Sequence, residues 1–127
     1  MRVILAWILG IGLAINGLAM LGWPLAWYGT IPGVPETGPF NPHFVRDIGC
    51  ASLVSGVALI WLTRRPQARP AAQAAAAFLG LHALVHFWDT LAGREHLHNF
   101  AADIPSVILP ALLAIWIAWP RRAVIPT

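Results

Sequence analysis

Four long apolar segments, separated by short stretches rich in proline, glycine and charge, dominate the pattern of this 127-residue chain. Each holds roughly the 20 residues that an α-helix needs to cross the hydrocarbon core of a bilayer. The segments stop where a helix cannot easily continue, at Trp23-Pro24, at Arg64-Arg65-Pro66 and at Gly93-Arg94. The pattern therefore predicts transmembrane helices over about residues 3–22, 43–63, 71–91 and 100–119.

The composition supports lipid as the main solvent of this chain. Hydrophobic residues make up 58% of it and charged residues 10%, whereas about a quarter of the residues of a soluble protein are charged. Residues 1–127 are expected to form one integral membrane domain, an all-α four-helix bundle. The first span follows Arg2 as the apolar part of a signal peptide does, but its length of roughly 20 residues predicts a retained span.

The charges predict an orientation. All eight basic residues are arginines, and the four-span topology puts six of them on the same side as both termini, while the five acids fall at or near the other side. By the positive-inside rule, both termini are then cytoplasmic and the chain is a multi-pass protein of the bacterial inner membrane. Arginines at the ends of spans are a topology signal and not a phosphate-binding patch, so a nucleic-acid partner is not expected.

Small residues recur on one face of each of the first two spans. They are Ala6, Gly10 and Ala14 in the first span, and Gly49, Ser52 and Gly56 in the second. Small residues let helix backbones approach closely in lipid. These faces are expected to pack within the bundle, with docking of a partner helix as the alternative.

The fourth span carries an acid and two prolines near its start. Asp103 is a candidate N-cap, and Pro105 is tolerated in a first turn. Pro110 predicts a kink, because it removes a backbone donor from the middle of the helix.

Ionisable residues cluster on the acidic side. On the third helix His82, His86 and Asp89 have the i, i+4, i+7 spacing that places them on one face, over roughly 10 Å. His43, Arg46 and Asp47 start the second helix on the same side. Such groups inside a membrane usually point into the bundle and have a partner. Arg46 is expected to pair with Asp89 or Asp47 near His86, either to fix helix register or to hold a ligand.

A transition metal is one candidate ligand, because imidazole and carboxylate suit Zn, Cu, Fe or Ni. The sequence has no zinc-protease motif, since Ala83 stands where a catalytic Glu is needed. The single Cys50 excludes a Cys-pair motif. The candidate metal ligands are His82, His86, Asp89, His96 and His98.

A quinone is the second candidate ligand, bound among polar groups and tryptophan near the membrane surface. Haem is disfavoured as a cofactor, because the first and fourth spans contain no histidine to supply an axial ligand. The candidate cofactor-binding residues are His43, Arg46, Asp47, His86 and Trp88.

Four stretches carry a resemblance to known proteins, namely Trp23–Tyr28, Pro32–Val34, Thr37–Gly49 and Leu81–Asp89. Their sequences WPLAWY, PGV, TGPFNPHFVRDIG and LHALVHFWD resemble a pattern in small, uncharacterised bacterial four-helix membrane proteins. More distantly, the size and helix count are similar to the DoxX-like group, some of whose members accompany membrane quinone-linked oxidoreductases. The resemblance implies an accessory role and brings no catalytic residue with it.

Two functions follow as expectations. The first is an accessory or structural subunit of a larger bacterial inner-membrane complex, with lipid and a membrane-protein complex as partners. The second is a metal- or quinone-binding membrane protein, which includes an oxidoreductase, with a His/Asp site near the periplasmic face. Whether the chain is an enzyme is left open.

Overall fold

The computed structural model describes residues 1–94 and 97–120, apart from the side chains of residues 97 and 98, and every regular element in them is helical. The helices are α1 (Arg2–Gly22), α2 (Pro24–Thr30), α3 (Pro42–Arg64), α4 (Arg69–Leu91), α5 (Leu97–Asp103) and α6 (Leu109–Ala118). A π-helical turn, Ile104–Ile108, joins α5 to α6, and short 3-10 turns occupy Val34–Glu36 and Pro66–Ala68. Four stretches, 2–22, 42–64, 66–91 and 99–118, are long and apolar enough to cross a membrane, which confirms the predicted spans.

The four long stretches form a ring. Helix α1 packs on α3, α3 on α4, α4 on α6, and α6 returns to contact α1. Because successive spans run antiparallel, Arg2, the turn between α3 and α4 and the end of α6 meet at one end, here named the arginine end. The opposite end, here named the histidine end, comprises α2, the loop over residues 31–41 and the start of α5.

The contact between α1 and α3 depends on glycine. A Cβ atom at Gly10 would lie 2.8 Å from the carbonyl oxygen of Gly56, and one at Gly17 would lie 2.6 Å from that of Gly49. The hydroxyl of Ser52 donates to the carbonyl of Leu13 at 3.0 Å. The predicted small-residue faces therefore do pack inside the bundle, and Gly17 extends the α1 face by one further turn. Close backbone approach supplies the van der Waals contact that holds helices together in lipid.

The arginine end is closed by guanidinium groups on the last turn of α6. Arg69 donates to the carbonyls of Ala118 (3.2 Å) and Trp119 (3.3 Å), and Arg2 donates to the carbonyl of Trp119 at 3.2 Å. Arg2 also lies over the ring of Trp116, 4.5 Å from its centroid. Carbonyls at a helix C-terminus have no partners within the helix, and cations there complement the helix dipole. The buried hydrophobic cluster lies in the same half of the bundle.

The histidine end is held by hydrogen bonds between α1, α2 and the following loop. The indole of Trp27 donates to Asn16 at 2.9 Å, and the hydroxyl of Tyr28 donates to the carbonyl of Gly38 at 2.6 Å. The buried amide of Asn99 donates to Glu36 at 2.6 Å and so ties this loop to α5. The sequence of residues 23–42, between the first two predicted spans, predicts a loop rich in proline and glycine. The structure instead shows the short helix α2 at the start of this stretch. Pro24 is the first residue of α2, a position at which a proline ring is compatible with a helix.

The start of the fourth span also differs from the prediction. Asp103 was predicted to be an N-cap, but α5 begins at Leu97, so Asp103 has helical backbone angles and its side chain makes no cap hydrogen bond. The backbone departs from the α-helix before Pro110. There the amide of Leu109 donates to the carbonyl of Ile104, five residues earlier, which defines the π turn.

Candidate functional site

The polar centre of the bundle is a pair formed by His86 of α4 and Asp103 of α5. The Nδ1 atom of His86 lies 2.8 Å from a carboxylate oxygen of Asp103, and the two side chains are 23% and 13% exposed. Both residues belong to stretches apolar enough to cross a membrane. Removing a charged group from water is costly unless it is paired and hydrogen-bonded, so each side chain needs the other.

The hairpin between α4 and α5 places the pair. His86 lies five residues before the last residue of α4, Leu91, and Asp103 lies six residues after the first residue of α5, Leu97. Two antiparallel helices joined by a short turn bring residues at similar distances from that turn to the same depth. Asp103 is also the last residue before the π turn, a local distortion of helices that is frequent at functional sites.

Two aromatic rings extend this centre along α4. The ring of His82 meets that of His86 edge to face, with centroids 4.8 Å apart, and Phe78 stacks on His82 with centroids 6.0 Å apart. The predicted His82 and His86 ladder is therefore present, with both rings half-buried. Within the described residues, the second nitrogen of His86, Nε2, has no hydrogen-bond partner.

The second predicted group, at the start of α3, does not join this centre through any hydrogen bond or ion pair in the part of the chain that the structure describes. His43 Nε2 lies 3.4 Å from a carboxylate oxygen of Asp47, and their side chains are 88% and 59% exposed. Arg46 donates from Nε to the carbonyl of Leu21 at 3.3 Å. Trp88, the remaining member of the predicted cofactor set, is exposed on the surface of the bundle.

The predicted pairing of Arg46 with Asp89 or Asp47 was wrong. The start of α3 lies beside the end of α1, where carbonyls without helical partners attract a guanidinium. Asp89 forms an ion pair with Arg94 at 3.2 Å instead. Asp103, which was predicted to cap the fourth span, is instead the partner of His86 on α4.

The predicted metal set is only partly assembled. His82 and His86 are neighbours, but Asp89 is engaged by Arg94. Across residues 1–94 and 97–120, no group of three or more His, Cys, Asp or Glu side chains is arranged to hold a metal ion. His96 and the side chain of His98 lie outside the described parts of the chain, so their role as ligands stays a prediction.

The chemistry of the centre is that of an imidazole oriented by a carboxylate. A carboxylate oxygen accepts hydrogen bonds, so Nδ1 of His86 is assigned as the donor of this pair. Asp103 thereby fixes the direction of the ring. Comparison of the chain with models of known protein families, with curated proteins and with solved structures finds no match.

Proposed function

We propose that this protein binds a lipid-soluble carbonyl compound of the quinone class, with His86 as the residue that contacts it. The observation that carries this proposal is the 2.8 Å pair between His86 and Asp103 inside two apolar spans. An ionisable pair within a membrane span raises a functional hypothesis by default. A ligand that reaches this pair from lipid must itself be lipid-soluble and still offer polar atoms, which describes a quinone with its apolar tail.

The Nε2 atom of His86 suits both redox forms of such a ligand. In the protonated ring, Nε2 donates a hydrogen bond to a quinone carbonyl. In the neutral ring, with the hydrogen on Nδ1 facing Asp103, Nε2 accepts a hydrogen bond from a quinol hydroxyl. The proposal covers binding and exchange of a proton at Nε2, and the ring of His82 forms one wall of the site.

The surroundings of the pair favour entry from the bilayer. Val85 and Ile104, which adjoin His86 and Asp103 in the sequence, are 56% and 50% exposed. On a membrane-spanning bundle, exposed aliphatic side chains face lipid. The site therefore lies beside the lipid-facing surface, where a tailed ligand is already concentrated.

The proposal places the chain in a bacterial inner membrane, with both termini in the cytoplasm and the His86 site toward the periplasm. The support is the segregation of charge, since the arginine end carries Arg2, Arg64, Arg65 and Arg69, and no acid among the residues described. An accessory role beside a quinone-linked oxidoreductase, as the DoxX-like resemblance implies, is the context that fits this site.

The test is to titrate the detergent-solubilised protein with a benzoquinone that carries a ten-carbon tail. Binding is measured by quenching of tryptophan fluorescence or by calorimetry. We expect His86→Leu to weaken binding by at least ~10-fold, the loss of roughly one charge-assisted hydrogen bond. His43→Leu is the matched control, since His43 is exposed and lies beside Asp47. This variant should bind the quinone with the same affinity as the wild type.

A second ligand separates recognition of the carbonyl from simple partition of the tail. The dimethoxybenzene with the same tail lacks carbonyl groups and should bind the wild type and His86→Leu alike. Equal affinity of the wild type and His86→Leu for the quinone would contradict the proposed function.

A second candidate function, a structural subunit of a membrane complex, is favoured by the outward face of α1. This face repeats with heptad spacing through Ile4, Ile8, Ile11, Ile15 and Leu18, all of them 45–64% exposed. Alternating steps of four and three residues are the pattern of knobs-into-holes packing between helices. β-branched side chains have few rotamers to lose on docking.

This candidate predicts that Ile8→Ala together with Ile15→Ala releases a partner while the bundle itself stays intact. The matched control is Leu112→Ala, which alters an exposed side chain on α6. The measurement is the stoichiometry of proteins that co-purify with each variant after mild solubilisation from the native membrane. Retention of the same partner by the α1 variant would exclude this face as the contact.

A further inference from the structure

An apolar groove runs along α4 beside the end of α6, from the arginine end to Leu84, two residues before His86. Its volume is about 530 Å³. It is lined along α4 from Gln73 to Leu84, and by Ile115, Ala118 and Trp119 of α6. The groove is open because α4 presents small residues here, among them Ala77 and Gly80.

The α4 wall of the groove has about the length of one leaflet. Eleven residues separate Gln73 from Leu84, and at ~1.5 Å per residue they cover ~16 Å of helix. The hydrocarbon core of a bilayer is ~30 Å thick, so one leaflet contributes ~15 Å. An acyl chain anchored at the membrane surface would lie along this groove over most of its length.

Positive charge stands at the end of the groove where a lipid headgroup would lie. Arg69 precedes Gln73 by one turn of α4, and its guanidinium contacts the carbonyls of Ala118 and Trp119, two of the lining residues. Arg2 reaches the same carbonyl of Trp119. Within the residues that the structure describes, no acid at this end opposes them.

We propose that this groove is a binding site for an anionic phospholipid, with one acyl chain between α4 and α6 and the phosphate against Arg69 and Arg2. A guanidinium carries five N–H donors, so contacts to helix carbonyls leave others for a phosphate. Basic pockets between transmembrane helices are suited to anionic headgroups, while the apolar lining excludes a ligand without a long tail. The site is independent of the quinone proposal and uses none of its residues.

The experiment is native mass spectrometry of the protein released from detergent micelles that contain equal amounts of phosphatidylglycerol and phosphatidylcholine. We expect one retained phosphatidylglycerol per chain and a ~5-fold preference over phosphatidylcholine, the effect of roughly one arginine near a charged surface. Arg69→Gln should reduce this preference, since it leaves only Arg2 to contact the phosphate. Ala77→Phe, which fills the groove, should remove retention of both lipids.

Matched controls keep the result interpretable. Ala74→Phe makes the same substitution at an exposed position of α4 outside the groove, and Arg46→Gln removes an arginine at the histidine end. Both should retain lipid as the wild type does. Should Arg69→Gln fail to fold, Ala77→Phe still decides the matter. Equal retention of the two lipids, lipid retention unchanged in Ala77→Phe, or a protein dimer in place of a lipid adduct would overturn the proposal.

Discussion

Gly56→Ala is expected to lower the free energy of unfolding by about 2 kcal/mol or more, among the largest effects of any single methyl group in this chain. A Cβ atom at this position would lie within 2.8 Å of the backbone nitrogen of Ala14 and closer still to the carbonyl oxygen of Gly10. Backbone atoms inside a helix cannot rotate away as a side chain can. The substitution therefore has to push α1 and α3 apart and loosen their whole contact.

Gly12→Ala is the matched control for this prediction. It adds the same methyl group to α1, the helix on which α3 packs, but nothing lies within 4 Å of the new atom. Alanine favours a helix over glycine by about 1 kcal/mol, so Gly12→Ala should leave stability unchanged or raise it. Thermal unfolding in detergent micelles measures both variants. Equal melting temperatures for Gly56→Ala and Gly12→Ala would show that close approach of the backbones is not what joins α1 to α3.

Asp103→Ala is expected to destabilise the bundle by about 2–3 kcal/mol, because it leaves Nδ1 of His86 without its partner in a largely buried position. His86→Leu alone removes the same hydrogen bond. The double variant should therefore lose clearly less stability than the sum of the two single variants. Residues in direct contact typically show coupling energies of about 0.5–3 kcal/mol.

The control for this pair is Asp89→Ala on the same stretch of chain. Asp89 forms its ion pair with Arg94, whose side chain is 68% exposed, and exposed pairs contribute about 0–1 kcal/mol. Equilibrium unfolding in mixed micelles compares the variants. A coupling energy near zero between Asp103 and His86 would mean that the observed contact carries no stability, and the role assigned to Asp103 in orienting the ring would have to be abandoned.

The helical architecture was largely readable from the sequence because lipid imposes a strict requirement. Backbone polar groups in hydrocarbon must bond within their own segment, so length and hydropathy alone indicate where the spans lie. The spacing of small residues also indicated that the faces carrying Gly10 and Gly56 pack within the bundle, and the structure adds that these two faces pack on each other. Helix α2 was missed because its seven residues, Pro24–Thr30, are too few to show an apolar periodicity beside a proline-rich loop.

The site was only half predictable. The spacing of His82 and His86 places both rings on one face of α4 through helix geometry alone. Their partner depends on tertiary structure, and Asp103 was assigned to capping because α5 was not expected to begin as early as Leu97. The sequence did offer one indication of this partner. His86 and Asp103 lie at similar distances along the chain from the turn after Leu91, and such positions come to the same depth in a helical hairpin. Arg46 was misassigned because charge complementarity between side chains was weighed without the free carbonyls at the end of α1.

The closure of the ring has a consequence for biosynthesis. The contact between α1 and α3 uses only the first half of the chain, so it can form while the ribosome is still making α4 and α6. Arg2, in contrast, bonds to the carbonyl of Trp119, near the opposite terminus. The ring of helices can therefore close only after α6 has been made, when the end of that helix reaches Arg2.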